Sequence, residues 1–378
     1  MTNTDLNTWY KQSKESSLFG RYIHLKNIAP LINNLPSNFI TEVIGTSVLG
    51  ENIYSITLGN GPKKILMWSQ MHGNESTTTK AIFDLLNSFK NNNLDNILNT
   101  CTIKIIPILN PDGAKAYTRL NANKVDLNRD AQDLSQPESK VLLDTYKSFK
   151  PHYCFNLHGQ RTIFSAGNSN NVATLSFLSP AENKERDITI TRKKAMEVIV
   201  AINNIIQKQL PNQIGRYDDG FNANCVGDSF QMQQTPTILY ETGHYKNDYD
   251  REQVRCFAYQ SLIVGLSYIA NNDITGANYE SYFEIPENQK LFFDIIIKEA
   301  LVDGEICDIA IQYQEKLIDN KLYFIPKVEK IFKNECFFAH KWIEANKLKV
   351  TTLKNEELFV GYENDFVLIN NVKKSLKT

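Results

Sequence analysis

Residues 67–86 read MWSQMHGNESTTTKAIFDLL, and the break inside that stretch decides the fold. Upstream, Ile65-Leu66-Met67-Trp68 is a continuous apolar run, the pattern of a strand buried on both faces. Downstream, Ala81, Ile82, Leu85, Leu86 and Phe89 fall at helical spacing and predict a helix over 77–90. Between the two stands His72-Gly73-Asn74-Glu75. A buried strand turning into a helix is the repeating unit of an α/β sheet. A histidine and a glutamate at HxxE spacing on that turn have no use in a core, but both side chains can reach one metal ion.

The same alternation continues on both sides. Residues 1–45 read as a helical lead-in that ends in a strand at Thr41–Gly45, and Ile53–Leu58 alternates as a second strand. Gly59-Asn60-Gly61-Pro62 marks a turn before the strand Lys64–Ser69. Thr102–Leu109 predicts another strand, running into the turn signal Asn110-Pro111-Asp112-Gly113. Helices are expected over Pro137–Phe149, Lys193–Gln209 and Glu252–Ala270. Strands are expected at Tyr153–Leu157, running into His158, and at Thr237–Tyr240, running into Glu241. This predicts an α/β domain with a central mixed, mostly parallel sheet flanked by helices. Chemistry in such sheets gathers at the carboxyl ends of the strands, where His72, Glu75, His158 and Glu241 all fall. After about residue 285 the texture changes to short strands at 306–312, 322–328 and 348–352 with charged turns. The expected division is a catalytic domain over 1–285 and a small β-rich accessory domain over 286–378, with no chemistry visible in the latter.

The bulk numbers exclude several classes. With 42% hydrophobic and 22% charged residues and a formal net charge of −1, the 378-residue chain lacks the basic footprint of a nucleic-acid partner. The N-terminus is polar without an apolar signal core, and no run approaches the roughly 18 apolar residues of a membrane span. Six scattered cysteines with no CxxC pair predict reduced thiols and a cytoplasmic location.

His72, Glu75 and His158 have the residue types and the number of a catalytic zinc site that leaves one position open for water. Taken alone, each has a structural alternative: a chance HxxE, a satisfied strand-end histidine, a strand-end carboxylate at Glu241. The order of motifs is more specific. His72-Gly73-Asn74-Glu75, Asn110-Pro111-Asp112-Gly113, Arg119, Asp126-Leu127-Asn128-Arg129, His158 and Glu241 together resemble the zinc carboxypeptidases of the carboxypeptidase A type, over roughly residues 40–270.

That resemblance implies one zinc ion per chain on His72, Glu75 and His158, and hydrolysis of a C-terminal peptide bond by zinc-activated water. It makes Glu241 the general base, Arg119 the oxyanion stabiliser, and Asn128 and Arg129 the grip on a free carboxylate. A guanidinium fork suits that last task, since it binds a carboxylate through two parallel hydrogen bonds. Tyr217, among glycines, is the candidate for a mobile tyrosine over the site, with Phe221 as its competitor. Asp126 is left to orient Arg129 or a ligand histidine, and NPDG is read as a turn without a catalytic role. Several positions depart from the family pattern. Asp130 either favours a cationic substrate or binds Arg129. Gln160 and Arg161 follow the third ligand and are candidates to reshape the substrate pocket, Arg161 by gripping a second carboxylate or by a structural salt bridge. Asp228 is a candidate pocket residue, and His244 a structural one. The alternative activity is a zinc amidohydrolase or deacylase acting on small N-acyl amino acids or muropeptides.

Overall fold

The structure is a computed structural model that describes residues 3–90 and 94–378; the first two residues of the helical lead-in lie outside it. Its centre is an eight-stranded sheet. In chain order the first strands are β1 (Ile40–Thr46), β2 (Asn52–Leu58), β3 (Lys63–Ser69), β4 (Cys101–Ile106) and β5 (Tyr153–Gly159). The short β6 (Phe164–Ala166) lies apart, and β7 (Leu175–Leu178), β8 (Ile214–Arg216) and β9 (Thr237–Thr242) complete the sheet in the order β1-β2-β4-β3-β5-β9-β7-β8. The pairs β4/β3, β3/β5, β5/β9 and β7/β8 are parallel; β1/β2, β2/β4 and β9/β7 are antiparallel.

Nine helices are described: α1 (Asn3–Ser13), α2 (Leu25–Asn33), α3 (Thr77–Lys90), α4 (Asp95–Thr100), α5 (Pro111–Ala116), α6 (Pro137–Phe149), α7 (Ile190–Ile206), α8 (Val226–Met232) and α9 (Glu252–Asn271). They cover both faces of the sheet, which explains the unbroken apolar reading of β3. Ile65 and Met67 point into the core beneath α3, α7 and α9, while Leu66 and Trp68 point into a second core with Leu142, Tyr146 and Phe230 from α6 and α8.

Three sequence expectations shift. The Gly59–Pro62 turn joins strands that are not neighbours, because β4 is inserted between β2 and β3. NPDG is more than a turn. Asn110 accepts from the Gly113 backbone N–H at 2.9 Å and caps α5, with Pro111 in its first turn. The strands β7 and β8, four and three residues long, lack enough residues to show a period and escaped sequence reading.

The C-terminal part carries β10 (Asn288–Lys290), β11 (Phe292–Val302), β12 (Glu305–Ile318), β13 (Lys321–Phe332), β14 (Phe338–Glu344), β15 (Val350–Thr351), β16 (Phe366–Ile369) and β17 (Val372–Ser375). A four-stranded sheet, β13-β12-β11-β14, and a three-stranded sheet, β15-β16-β17, share a core that includes Ile295, Ile309, Val328, Val350 and Val367. Strand β10 pairs instead with β6.

Candidate active site

The carboxyl ends of β3, β5 and β9 lie side by side, with His158 and Glu241 as register partners. Beyond β3 the chain turns sharply at Gln70, whose φ is 45°. The Gln70 amide donates to the Gly73 carbonyl at 2.7 Å and to that of Ile23 at 2.9 Å, closing the loop that carries His72. The NPDG segment supports this loop from below: Asn110 Nδ2 donates to the Met71 carbonyl at 3.2 Å. A Cβ on Gly73 would lie 2.0 Å from the Gly113 carbonyl carbon, so only glycine permits the approach. The contribution of NPDG is therefore to position His72, which sequence reading missed.

Three donors converge. His72 Nδ1 lies 2.8 Å from Glu75 Oε1 and 3.1 Å from His158 Nδ1, which is itself 3.0 Å from Glu75 Oε2. One ligand atom from each of the three residues falls within 4.8 Å of the other two. Zinc–nitrogen bonds of about 2.0–2.1 Å place tetrahedral donors roughly 3.3 Å apart, so two imidazoles and a carboxylate at this spacing fit the ion. His72 Nε2 is 3.0 Å from Asp126 Oδ1, and an outer carboxylate of this kind fixes the ring and raises its basicity as a ligand. Asp126 thus orients a histidine, one of the two roles left open for it. Burial works against a charge on His72, but Glu75 and Asp126 override it and hold the imidazole up at about 9. Burial lowers His158.

Glu241 sits beside this set with Oε2 buried and unpartnered. Burial first, and then the Glu75 carboxylate, push it well above the usual carboxylate range. Arg119 reaches in from the other side, its Nε 3.0 Å from Asp126 Oδ2 and Nη1 3.5 Å from Glu75 Oε1. Tyr217 follows β8, packs on Phe164 at 5.5 Å between ring centroids, and lines the same cleft as Glu75, Arg119 and Glu241. The neighbouring Gly215 is there for close packing: a Cβ would lie 1.9 Å from Asn288 Oδ1. Phe221 does not line the cleft.

Asn128 and Arg129 stand apart from this lining. Asn128 is buried, and its Oδ1 accepts from the Val226 N–H at 3.0 Å, anchoring α8. Arg129 is exposed, with Nη1 donating to the Asn128 carbonyl at 2.7 Å and lying 3.1 Å from Cys225 Sγ. Asp130 takes neither proposed role: it is buried and accepts from the Ser135 and Gln136 backbone N–H groups and the Ser135 hydroxyl. Gln160 lines the cleft, but its amide is committed to the Ala173 carbonyl, Ser176 and Asn288. Asp228 lies at the start of α8 outside the lining, pushed up to about 7 by burial. His244 is buried and packs, tilted, against His340 of the C-terminal part at 4.1 Å between ring centroids.

The cleft encloses about 620 Å3. One wall comes from the C-terminal part: Lys290 of β10 and Tyr313, Gln314, Glu315 and Lys316 of β12. Glu315 is held by Arg21 at 2.6 Å and by the Tyr117 hydroxyl at 2.6 Å. Nothing in the β-rich texture of 286–378 marked these residues, since wall positions need no motif.

Comparison with known proteins now has a geometry to meet. The zinc carboxypeptidase family profile matches residues 28–263. The chain belongs to the zinc carboxypeptidase family. Mouse carboxypeptidase M is 26% identical over 201 residues, covering 44% of this chain and 45% of that protein. A gamma-D-glutamyl-L-diamino acid endopeptidase from Lysinibacillus sphaericus is 34% identical over 80 residues, covering 18% of this chain and 20% of that one. These matches span less than half the length of either relative. Among solved structures, carboxypeptidase A from Helicoverpa armigera superposes with a TM-score of 0.54 at 17% identity, covering 71% of this chain and 80% of that chain. At that identity the likeness speaks for the fold. The family is zinc-dependent, and the His72–Glu75–His158 set is a group fit to hold the ion.

Proposed function

We propose that this member of the family is a metallocarboxypeptidase that hydrolyses a C-terminal peptide bond, with Glu241 as its general base. The observation that carries the reading is the convergence of two imidazoles and a carboxylate beside Glu241, whose Oε2 is buried and unpartnered. Zinc held by His72, Glu75 and His158 supplies Lewis acidity that activates water near neutral pH. Glu241, in its carboxylate form, takes the proton from the attacking water and passes it to the leaving amine. Arg119 offers charge-assisted donors to the oxyanion of the tetrahedral intermediate. Arg129 presents an exposed fork to the terminal carboxylate, on a turn fixed by Asp126 and Asn128. Tyr217, which lines the cleft, is assigned to close over the substrate. No helix among the described residues is long and apolar enough to cross a membrane.

The reading is tested by metal analysis and by Glu241→Gln. One zinc per chain is expected, with kcat for a blocked dipeptide lowered about 10²–10⁴-fold while zinc content and thermal unfolding are retained. Full activity in Glu241→Gln overturns the mechanism. Faster turnover of N-acyl amino acids than of blocked dipeptides moves the assignment to the amidohydrolase.

A further inference from the structure

The cleft is cationic beyond what the reaction asks. Six cations line it, Arg21, Arg119, Arg161, Arg251, Lys290 and Lys316, against three carboxylates, Glu75, Glu241 and Glu315. Some of this charge is answered within the protein. Arg21 is paired with Glu315 at 2.6 Å, Lys316 with Glu363 at 2.7 Å, and Arg119 with Asp126 at 3.0 Å. Arg161, Arg251 and Lys290 have no carboxylate within ion-pair distance among the described residues.

Arg251 is the informative member. It is 2% exposed, and its Nη1 and Nη2 donate only to the backbone carbonyls of Thr242 at 2.9 Å and Gln160 at 3.1 Å. Its Nε is buried without a partner. The nearest carboxylates, Glu315 and Asp248, act on it only from beyond ion-pair distance, and a buried charge so weakly answered is costly and, in a cleft, marks a candidate binding position. Arg161, on the exit from β5, and Lys290, on β10, are exposed above it on the same cleft. A cleft walled by low-dielectric protein focuses such a field on whatever enters.

Direction follows from Arg129. It lies outside this lining, beside Cys225 at the start of α8, whereas the three cations share the cleft with Glu241 and Glu75. A substrate held at Arg129 by its terminal carboxylate and cut beside Glu241 lays its acyl portion into the cationic part. We infer that Arg161, Arg251 and Lys290 form an anion subsite for the acyl side of the substrate, so that the enzyme selects peptides with glutamate or aspartate just before the residue removed. This rests on the carboxypeptidase reading and names its substrate class. Arg161 and Lys290 contact the carboxylate, while Arg251 acts as a fixed positive charge beneath it.

The test uses the zinc-loaded full chain and blocked dipeptides that differ only in the residue before the scissile bond: glutamate, glutamine or lysine. The kcat/KM ratio of glutamate to glutamine is expected to be roughly tenfold at low ionic strength and to shrink as salt screens it. In the double variant Arg161→Glu/Lys290→Glu the order is expected to invert in favour of lysine. A wild-type ratio of one or below, or a ratio unchanged in the double variant, overturns the subsite while leaving the carboxypeptidase reading intact. Failure to hydrolyse any of the peptides counts against the parent reading instead. The subsite is then judged by calorimetric binding of the same peptides, where equal affinity for the glutamate and glutamine forms overturns it.

Discussion

Arg251 and Arg255 stand four residues apart and are both buried, yet the fold treats them oppositely. Arg255, in the first turns of α9, is met on every side. Its Nε and Nη2 bind the two carboxylate oxygens of Asp84 at 2.6 and 2.5 Å, and Nη1 reaches Glu252 at 3.2 Å and the Leu18 carbonyl at 2.5 Å. Lys80 and Lys14 close on the same Glu252 at 2.6 and 2.8 Å. Arg251 meets only carbonyls. Burial opposes the charge of both, but Asp84 keeps Arg255 raised, whereas burial and repulsion from Arg21 pull Arg251 down to about 10. A buried charge with its full complement fastens elements together, here α3, α9 and the segment that follows α1. A buried charge with part of its complement is a place where a ligand finishes the structure.

The sharpest way to break that comparison is to take the complement from Arg255. Asp84→Ala leaves a guanidinium buried between α3 and α9 and is expected to lower stability by about 3–5 kcal/mol. Urea denaturation measures it. A loss below about 1 kcal/mol would mean that the network contributes no more than a surface pair, and the contrast with Arg251 would fail.

A second difference concerns acid. His340 of β14 stacks on Phe292 at 4.9 Å between ring centroids, faces His244, and its Nε2 lies 2.8 Å from the Thr162 carbonyl. Burial, with the Arg251 charge adding to it, lowers His340 from 6.5 to about 4. The unfolded chain therefore binds a proton below pH 6.5 that the folded chain refuses. Stability is fully present above that pH and is lost progressively as pH falls toward 4, by at most about 3 kcal/mol from this residue. Melting temperatures between pH 7 and 4 in wild type and His340→Gln test this, with a flatter acid limb expected in the variant. Equal limbs would show that the contact between Thr162 and the C-terminal sheet does not sense protons.

The contrast between these regions also explains what the sequence could disclose. The frame was legible because β3, β5 and β9 are buried on both faces and read as apolar runs, and their ends carry residues whose chemistry is restricted: two imidazoles and two carboxylates. Helices α3 and α7 showed their period over 14 and 17 residues. What stayed hidden depends on contacts distant in the chain. Nothing near Arg251 reveals that Arg255 has Asp84 and Arg251 has none. Nothing near Glu315 reveals that Arg21, almost three hundred positions earlier, brings β12 to the cleft. The cap at Asn110 was visible as a turn, but its hold on Met71 arises only once β3 and β4 pair.

Asp126 lies between the two kinds of charge and predicts the smallest effect. One oxygen orients His72 and accepts from the Asn128 backbone N–H at 2.9 Å; the other holds Arg119. Its carboxyl is kept well below the usual range against the pull of burial, chiefly by its bond to His72. Asp126→Asn keeps the shape and one acceptor but removes the charge. Loss of an outer-shell partner of this kind weakens metal binding about 10–100-fold, or roughly 1.4–2.7 kcal/mol. Competition with a calibrated zinc chelator at pH 7.5 reads that change directly, without turnover. An unchanged zinc affinity with a slower kcat would reassign Asp126 to Arg119 alone. Loss of zinc together with the fold would place it with Asp84 among the charges that hold elements together.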